Sequence, residues 1–282
     1  MRISELILRQ LVRRQAQQDA KADSYRQYFE WQFQTTERRL KLFPHLDLTG
    51  KSVLEIGCGT GGRTTYIASQ GVSRTVGIDI NAEEIALAVE LSHQLHPELA
   101  HRVEFLVSQE DRLLDIGSFD TVFLIDSMEH VVSPPNILRL AHQYLNSSGQ
   151  CYFNTIGWYH HQASHTGLLP WVQVLFSDET ILNVIRWQVS RPDYVPSRFD
   201  SVPPIERWRD VYSLRDRPGE YLNKITLAEV ARLTRYTVFR KSKMYVVPFQ
   251  RAGVIGAAAK VAAATPILRE LLHSGVVVEL TK

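Results

Sequence analysis

Two cysteines, Cys58 and Cys151, are all that the 282 residues carry. That excludes a disulfide framework and suits a reducing compartment. An excess of one charge is missing too: 32 Lys and Arg against 30 Asp and Glu leave a net +2. A nucleic-acid or acidic-membrane partner would ask for a stronger imbalance, so a small ligand is the better expectation and nucleic acid is not expected. No apolar run reaches the ~20 residues of a membrane span. The opening stretch MRISELILRQLVRRQ lacks the small-residue cleavage site of a signal peptide, so the expectation is a mature cytoplasmic chain without an integral membrane segment.

What is present is a globular composition, 44% apolar and 22% charged, enough for a sizeable core. Near the start, Ile3, Leu6, Ile7, Leu11 and Val12 recur at helical spacing, with Arg9, Arg13 and Arg14 on the other side. This reads as an amphipathic helix packed on the core, with a basic membrane-surface helix as the alternative. A second helix from Asp23 to Phe43 carries Tyr25, Tyr28, Trp31 and Phe33 and stops at Pro44.

From Ser52 the pattern changes to short apolar runs alternating with helical stretches: SVLEIG, TVGIDI, VEFLVS, FDTVFLID and GQCYFNTIG, with helices near 61–70, 82–95 and 134–146. Strict alternation predicts right-handed βαβ units and a doubly wound α/β fold, whose ligands bind at the carboxyl ends of the strands. The alternation stops after Gly157. Residues 158–222 hold most of the tryptophans and many prolines, and read as an inserted lid. Strand character returns at 237–249, an alanine-rich helix at 254–264 and a last strand at 275–280. The expected organisation is therefore a helical cap over 1–44, a core made of 45–157 and 223–282, and the insert at 158–222.

VLEIGCGTGGRT holds four glycines in six residues and a carboxylate, Glu55, where a buried strand would carry an apolar residue. Gly57, Gly59 and Gly62 fit the dinucleotide fingerprint G-x-G-x-x-G; Gly57, Gly59 and Gly61 behind Glu55 fit E-x-G-x-G-x-G. A pyrophosphate is repelled by a neighbouring carboxylate, whereas an ammonium or sulfonium is attracted. Glu55 thus favours a cationic cofactor such as S-adenosylmethionine. Asp79, ending TVGIDI twenty residues after Gly59, sits where a carboxylate accepts from ribose hydroxyls, or caps the next helix.

VLEIGCGTG, GIDIN and FDTVFLIDSMEHV together resemble the class I S-adenosylmethionine-dependent methyltransferases, in the branch acting on small molecules, over about residues 50–157. PILRELLHSGVVVELTK resembles that family's closing elements. The resemblance implies a Rossmann-like, mainly parallel seven-stranded sheet. It also implies a loop of Gly57, Cys58, Gly59 and Gly61 around the cofactor, Glu55 on the methionine ammonium, Asp79 on the ribose, and Ile80 beside the adenine. Gln109 or Glu110 would read the adenine amino group, and Asp126 would line the methionine part.

An alcohol or ammonium acceptor must lose a proton, and a histidine suits that task. His130, in IDSMEHV after the fourth strand, is the first candidate; His161 and His165 in GWYHHQASHTGLLPW are the others. The i, i+4 spacing of His161 and His165 also suits a metal, but no Asp, Glu or Cys lies in the run, so no metal is expected. Trp158, Tyr159 and Trp171, with Tyr25, Tyr28 and Trp31 from the other side, are expected to enclose a partly apolar or aromatic acceptor. The expected activity is methyl transfer to such a small molecule, with O-methylation favoured over N or C. The alternatives are a non-catalytic protein that binds the cofactor and an NAD-dependent oxidoreductase.

Overall fold

The computed structural model describes residues 2–15, 25–109, 112–166, 168–192, 222–248 and 264–282. The expected alanine-rich helix, Glu110 and the second half of the insert lie largely outside these residues.

Apolar runs flanked by Gly and Asp form β1 (Ser52–Ile56), β2 (Arg74–Asp79), β3 (Val103–Val107), β4 (Phe119–Ile125), β5 (Leu145–Thr155), β6 (Lys241–Pro248) and β7 (His273–Thr281). They join in one sheet of order β3-β2-β1-β4-β5-β7-β6. The first five strands run parallel, while β7 lies antiparallel to β5 and β6. The doubly wound expectation holds with a mixed edge. The strand order reverses between β1 and β4, so the ligand crevice opens there, over the residues that follow those two strands.

Helices α1 (Ile3–Gln15), α2 (Tyr25–Leu40), α3 (Gly62–Ala68), α4 (Ala82–Leu95), α5 (Pro97–Ala100), α6 (Pro134–Tyr144), α7 (Val172–Leu175), α8 (Asp178–Val189), α9 (Leu227–Arg235) and α10 (Pro266–Leu271) complete the described elements. One core packs Leu54, Ile56, Val76 and Leu124 with Ile137, Leu140 and Val230 on one face of the sheet; a second packs Val53, Phe123 and Tyr152 with Ile67 and Phe43 on the other. The nearly continuous burial of β4 and of Cys151–Thr155 in β5, unlike an alternating surface strand, follows from this double cover.

The two N-terminal helices have different partners. α2 lies on the glycine turn: the Phe29 carbonyl sits against Gly62, and Gln32 Oε1 accepts from Thr60 Oγ1 at 3.2 Å. α1 instead packs on the insert, where Leu8 and Val12 join Leu168, Val172, Ile181, Val184 and Ile185 in a third apolar cluster. The apolar stripe expected to face the core is divided. Leu8 and Val12, one turn apart, point inward with Glu5, whereas Ile3, Leu6, Ile7 and Leu11 stay exposed.

Candidate functional site

The site is built at the carboxyl edge where β1 and β4 diverge. The chain leaves β1 through Gly57 at φ +77, a conformation glycine adopts without strain. A Cβ there would stand 2.8 Å from Ser127 Oγ, so the turn and the segment after β4 close on each other only because the side chain is missing. Gly61 is spent differently: a Cβ on it would meet Phe105 and Ala88, so it serves helix–sheet packing. Cys58 is wholly buried with its side chain under Gly77, and burial raises its thiol pKa well above the usual value. Only its backbone is available to a ligand.

Asp79 ties the turn to the second strand. Its Oδ2 accepts from Gly59 N at 2.9 Å and its Oδ1 from Asn81 N at 2.9 Å. Asn81 is the residue that caps α4, accepting from Glu83 N and Glu84 N. Burial raises the Asp79 pKa and the backbone donors oppose that rise. Ile80 follows, half-buried, and Gln109 is exposed just beyond β3. Ser108 N donates to the Asp79 carbonyl, which keeps these two strand ends together.

Glu55 is fully buried, and its carboxylate holds protein rather than opening to the crevice. Its Oε1 accepts from Arg63 Nη1 at 3.0 Å and its Oε2 from Thr64 Oγ1 at 2.6 Å. Desolvation raises its pKa while Arg63 and Thr64 lower it. Arg63 also donates to the Ile125 carbonyl and to Asp126 Oδ2 at 3.2 Å, and its Nε is buried with no acceptor among the described residues. Arg39 of α2 reaches the same Asp126 oxygen at 3.2 Å. Asp126 stands at φ +53, unusual for a residue with a Cβ. Of the two carboxylates on Arg63, Asp126 is thus the more accessible, its side chain 30% exposed, and the fully buried Glu55 pairs with the same guanidinium. Arg63, Arg39 and Asn154 carry no motif that sequence reading would single out; the only signal is a basic residue inside an otherwise small-residue helix start.

The next turn, Met128–His130, continues from Ser127. Glu129 is 8% exposed and accepts from Thr155 Oγ1 at 2.8 Å. Desolvation first, and then the nearby Asp126 charge, push its carboxyl up to about 7. His130 and His165 stand with ring centroids 5.0 Å apart, and one ligand atom each from Glu129, His130 and His165 lies within 4.8 Å of the others. A carboxylate with two imidazoles is a donor set for proton transfer and equally for a metal ion. Asn223, returning from the insert, fixes the turn by donating from Nδ2 to the Met128 and Val131 carbonyls and from its backbone N to the Glu129 carbonyl.

His161 does not join this group. Its ring lies 4.1 Å from His160 and 5.5 Å from Trp171, and His273 is 5.1 Å from His160. Burial holds His160 down to about 3 and His273 to about 4, so both imidazoles are neutral and pack the base of the insert. The i, i+4 pairing of His161 with His165 read from the sequence is therefore replaced by two separate clusters, because the stretch is a series of turns rather than a helix.

Trp158 borders a narrow cleft with Glu129, Ile156, Ala163, Leu222, Lys224 and Ile225, and the Lys224 ammonium stands 5.2 Å from its ring centroid. Tyr159 is exposed. Trp171, at φ +57, precedes α7 with its indole Nε1 buried and without an acceptor among the described residues. Tyr28 stacks on Trp31 at 5.7 Å and its phenol contributes to the field at Arg63, which sets this part of α2 beside the glycine turn; Tyr25 begins the same helix half-buried.

A family model described as a methyltransferase domain matches residues 25–192. A ubiquinone biosynthesis O-methyltransferase of Pseudomonas aeruginosa is 36% identical over 109 residues, which is 39% of this chain and 46% of that protein. The protein of the same description from Pasteurella multocida is 29% identical over 188 residues, 64% of this chain and 72% of that protein. The chain spans about half the length of most of the curated relatives it matches. Among solved structures, Haemonchus contortus phosphoethanolamine N-methyltransferase 2 in complex with S-adenosyl-L-methionine aligns with TM-score 0.54 at 16% identity, covering 98% of this chain and 60% of that one. An S-adenosylmethionine-dependent methyltransferase of Mesorhizobium loti aligns with TM-score 0.50 at 15% identity, covering 90% and 98%. These structural likenesses bear on the fold.

Proposed function

The chain belongs to the methyltransferase-domain family, and from that premise we propose that it transfers a methyl group to a hydroxyl of a small, partly apolar or aromatic acceptor. It is a class I S-adenosylmethionine-dependent enzyme, so the oxidoreductase alternative falls away. The cofactor supplies an electrophilic methyl group on a sulfonium. The residues present fit its methionine end: the buried Nε of Arg63, without an acceptor among the described residues, is a donor suited to a carboxylate, and the partly exposed Asp126 carboxylate suits an ammonium. Asp79, at the end of β2, would take the ribose hydroxyls, and the backbone of 57–61 would lie along the chain between them. Ile80 and Gln109 would flank the adenine.

The observation that supports O-methylation is the grouping of Glu129 and His130, three and four residues past Asp126, with His165 of the insert. A hydroxyl acceptor placed there loses its proton to a neutral imidazole as the oxygen attacks, and the neighbouring Glu129 carboxylate, when ionised, would stabilise the imidazolium that forms. Alignment of oxygen with the methyl group and exclusion of water by Trp158 and α2 would do the rest. The curated relatives named as O-methyltransferases point the same way. The test is methyl transfer from labelled S-adenosylmethionine to a panel of phenols, catechols and primary amines. Turnover of a phenol or catechol, reduced ~10²–10⁴-fold by His130→Ala with cofactor affinity unchanged, supports the reading; turnover of amines alone overturns it.

A further inference from the structure

The outward face of α1 is apolar without a protein partner among the described residues, although α1 is already fixed to the insert by its other side. Ile3 is 78% exposed, Ile7 49%, Leu6 44% and Leu11 42%, in a helix whose inner Leu8 and Val12 are buried. Leu6, Ile7, Gln10 and Leu11 line an open shallow groove. Such a contiguous patch on one helix face marks an interaction surface, where scattered exposed leucines would need no explanation.

The charges around it select the partner. The helix carries Arg9, Arg13 and Arg14, and Arg2 precedes it. Its single acid, Glu5, is turned inward and accepts from Asn183 Nδ2 at 2.8 Å. Arg9 lies over Trp187 at 5.1 Å, and Arg2 pairs with Glu179 on the exposed flank. In sequence this segment holds four cations, Arg2, Arg9, Arg13 and Arg14, against one acid that is turned away from the apolar face, the composition of a helix that lies in the plane of an anionic lipid surface. The near-neutral charge of the whole chain hides this local asymmetry.

We propose that α1 is a membrane-surface helix that docks the enzyme on anionic lipid by Ile3, Leu6, Ile7 and Leu11. The helix precedes the residues matched by the methyltransferase family model, so the device is an addition to the catalytic core. It is joined through Leu8 and Val12 to the insert cluster that includes Leu222 and Trp158, and these two border the cleft beside Glu129. Docking at α1 would bring that cleft to the lipid, where an apolar acceptor dissolves.

The test is flotation of the full chain with vesicles of phosphatidylcholine alone or with 30% phosphatidylglycerol, ~30% being an anionic content that gives a marked negative surface potential. Flotation with the anionic vesicles, at least tenfold weaker with phosphatidylcholine alone or in high salt, and at least tenfold weaker for the Leu6→Gln, Ile7→Gln double variant, is expected. The variant positions are exposed and away from the site, so the melting temperature and S-adenosylhomocysteine affinity should match the wild type and show that the fold is intact. No flotation of the wild type overturns the proposal. So does flotation that the double variant retains, or a wild-type dimer in light scattering that the variant dissolves, which would assign the face to a second copy. None of these outcomes depends on the acceptor being identified.

Discussion

Asn154 and Asp126 are bonded to each other in both directions across the β4–β5 pair. Asp126 N donates to Asn154 Oδ1 at 3.0 Å, and Asn154 Nδ2 donates to Asp126 Oδ1 at 2.6 Å. A left-handed residue at the end of β4 is thereby held by a neighbouring strand, and the other Asp126 oxygen remains for Arg63 and Arg39. Asn154→Ala removes both bonds next to a strained backbone. A loss of ~1–3 kcal/mol in chemical denaturation is expected, together with weaker S-adenosylhomocysteine binding in calorimetry. Retained affinity would show that Asp126 does not line the cofactor.

Glu55 and Arg63 form an ion pair with side chains 0% and 5% exposed. Removing one partner strands the other charge in the core, a change that costs ~3–5 kcal/mol. Glu55→Ala should therefore lower thermal stability sharply, and Glu55→Gln, which keeps acceptors for Arg63 and Thr64, should lower it less. If Glu55 served the cofactor ammonium instead, both variants would melt near the wild-type temperature and lose affinity alone.

Glu129 carries a pH signature. Its carboxyl is raised from 4.5 to about 7 by burial and by Asp126, so the folded chain holds that proton more tightly than the unfolded one. The stabilisation from this group is complete below pH ~4.5 and disappears as pH rises through about 7. Denaturant midpoints across this window should fall more steeply for the wild type than for Glu129→Gln. The rate of methyl transfer should move oppositely, increasing through about 7 as the ionised carboxylate supports the neighbouring imidazoles.

Asp79→Asn separates ribose binding from loop support. The amide retains an oxygen for Gly59 N or Asn81 N but loses charge-assisted acceptance, worth ~1.5–3 kcal/mol for a bond to a charged group. Methylthioadenosine, which has the ribose but no amino acid, should lose as much affinity as S-adenosylhomocysteine does, roughly 10- to 100-fold by the same figure. Equal binding by wild type and variant would reduce Asp79 to a structural tie between Gly59 and Asn81.

The strand alternation, the glycine turn and Asp79 were legible because each follows from a local rule: buried parallel strands read as apolar runs, and a tight turn needs glycine. The roles within the turn were not. Glu55 was conspicuous as a carboxylate in a strand, yet what it faces depends on Arg63, eight residues on and one helical turn above, and charge pairing across elements leaves no periodic mark. His130 and His165 were legible as types, but their meeting, and the diversion of His161 to His160 and Trp171, is decided by turns in the insert. The α1 stripe was visible as helical, while its division into an inner and an outer face came from α8.

The insert is tied at its root. Trp158 N donates to the Ile225 carbonyl at 2.7 Å, and Asn223 holds the Met128–Val131 turn with three hydrogen bonds. Whatever lies between these anchors is, energetically, a closed loop, and doubling the length of such a loop costs only about 0.6 kcal/mol. A change of length in the insert away from these two residues thus costs little chain entropy, and the turn bearing His130 keeps its anchors through it.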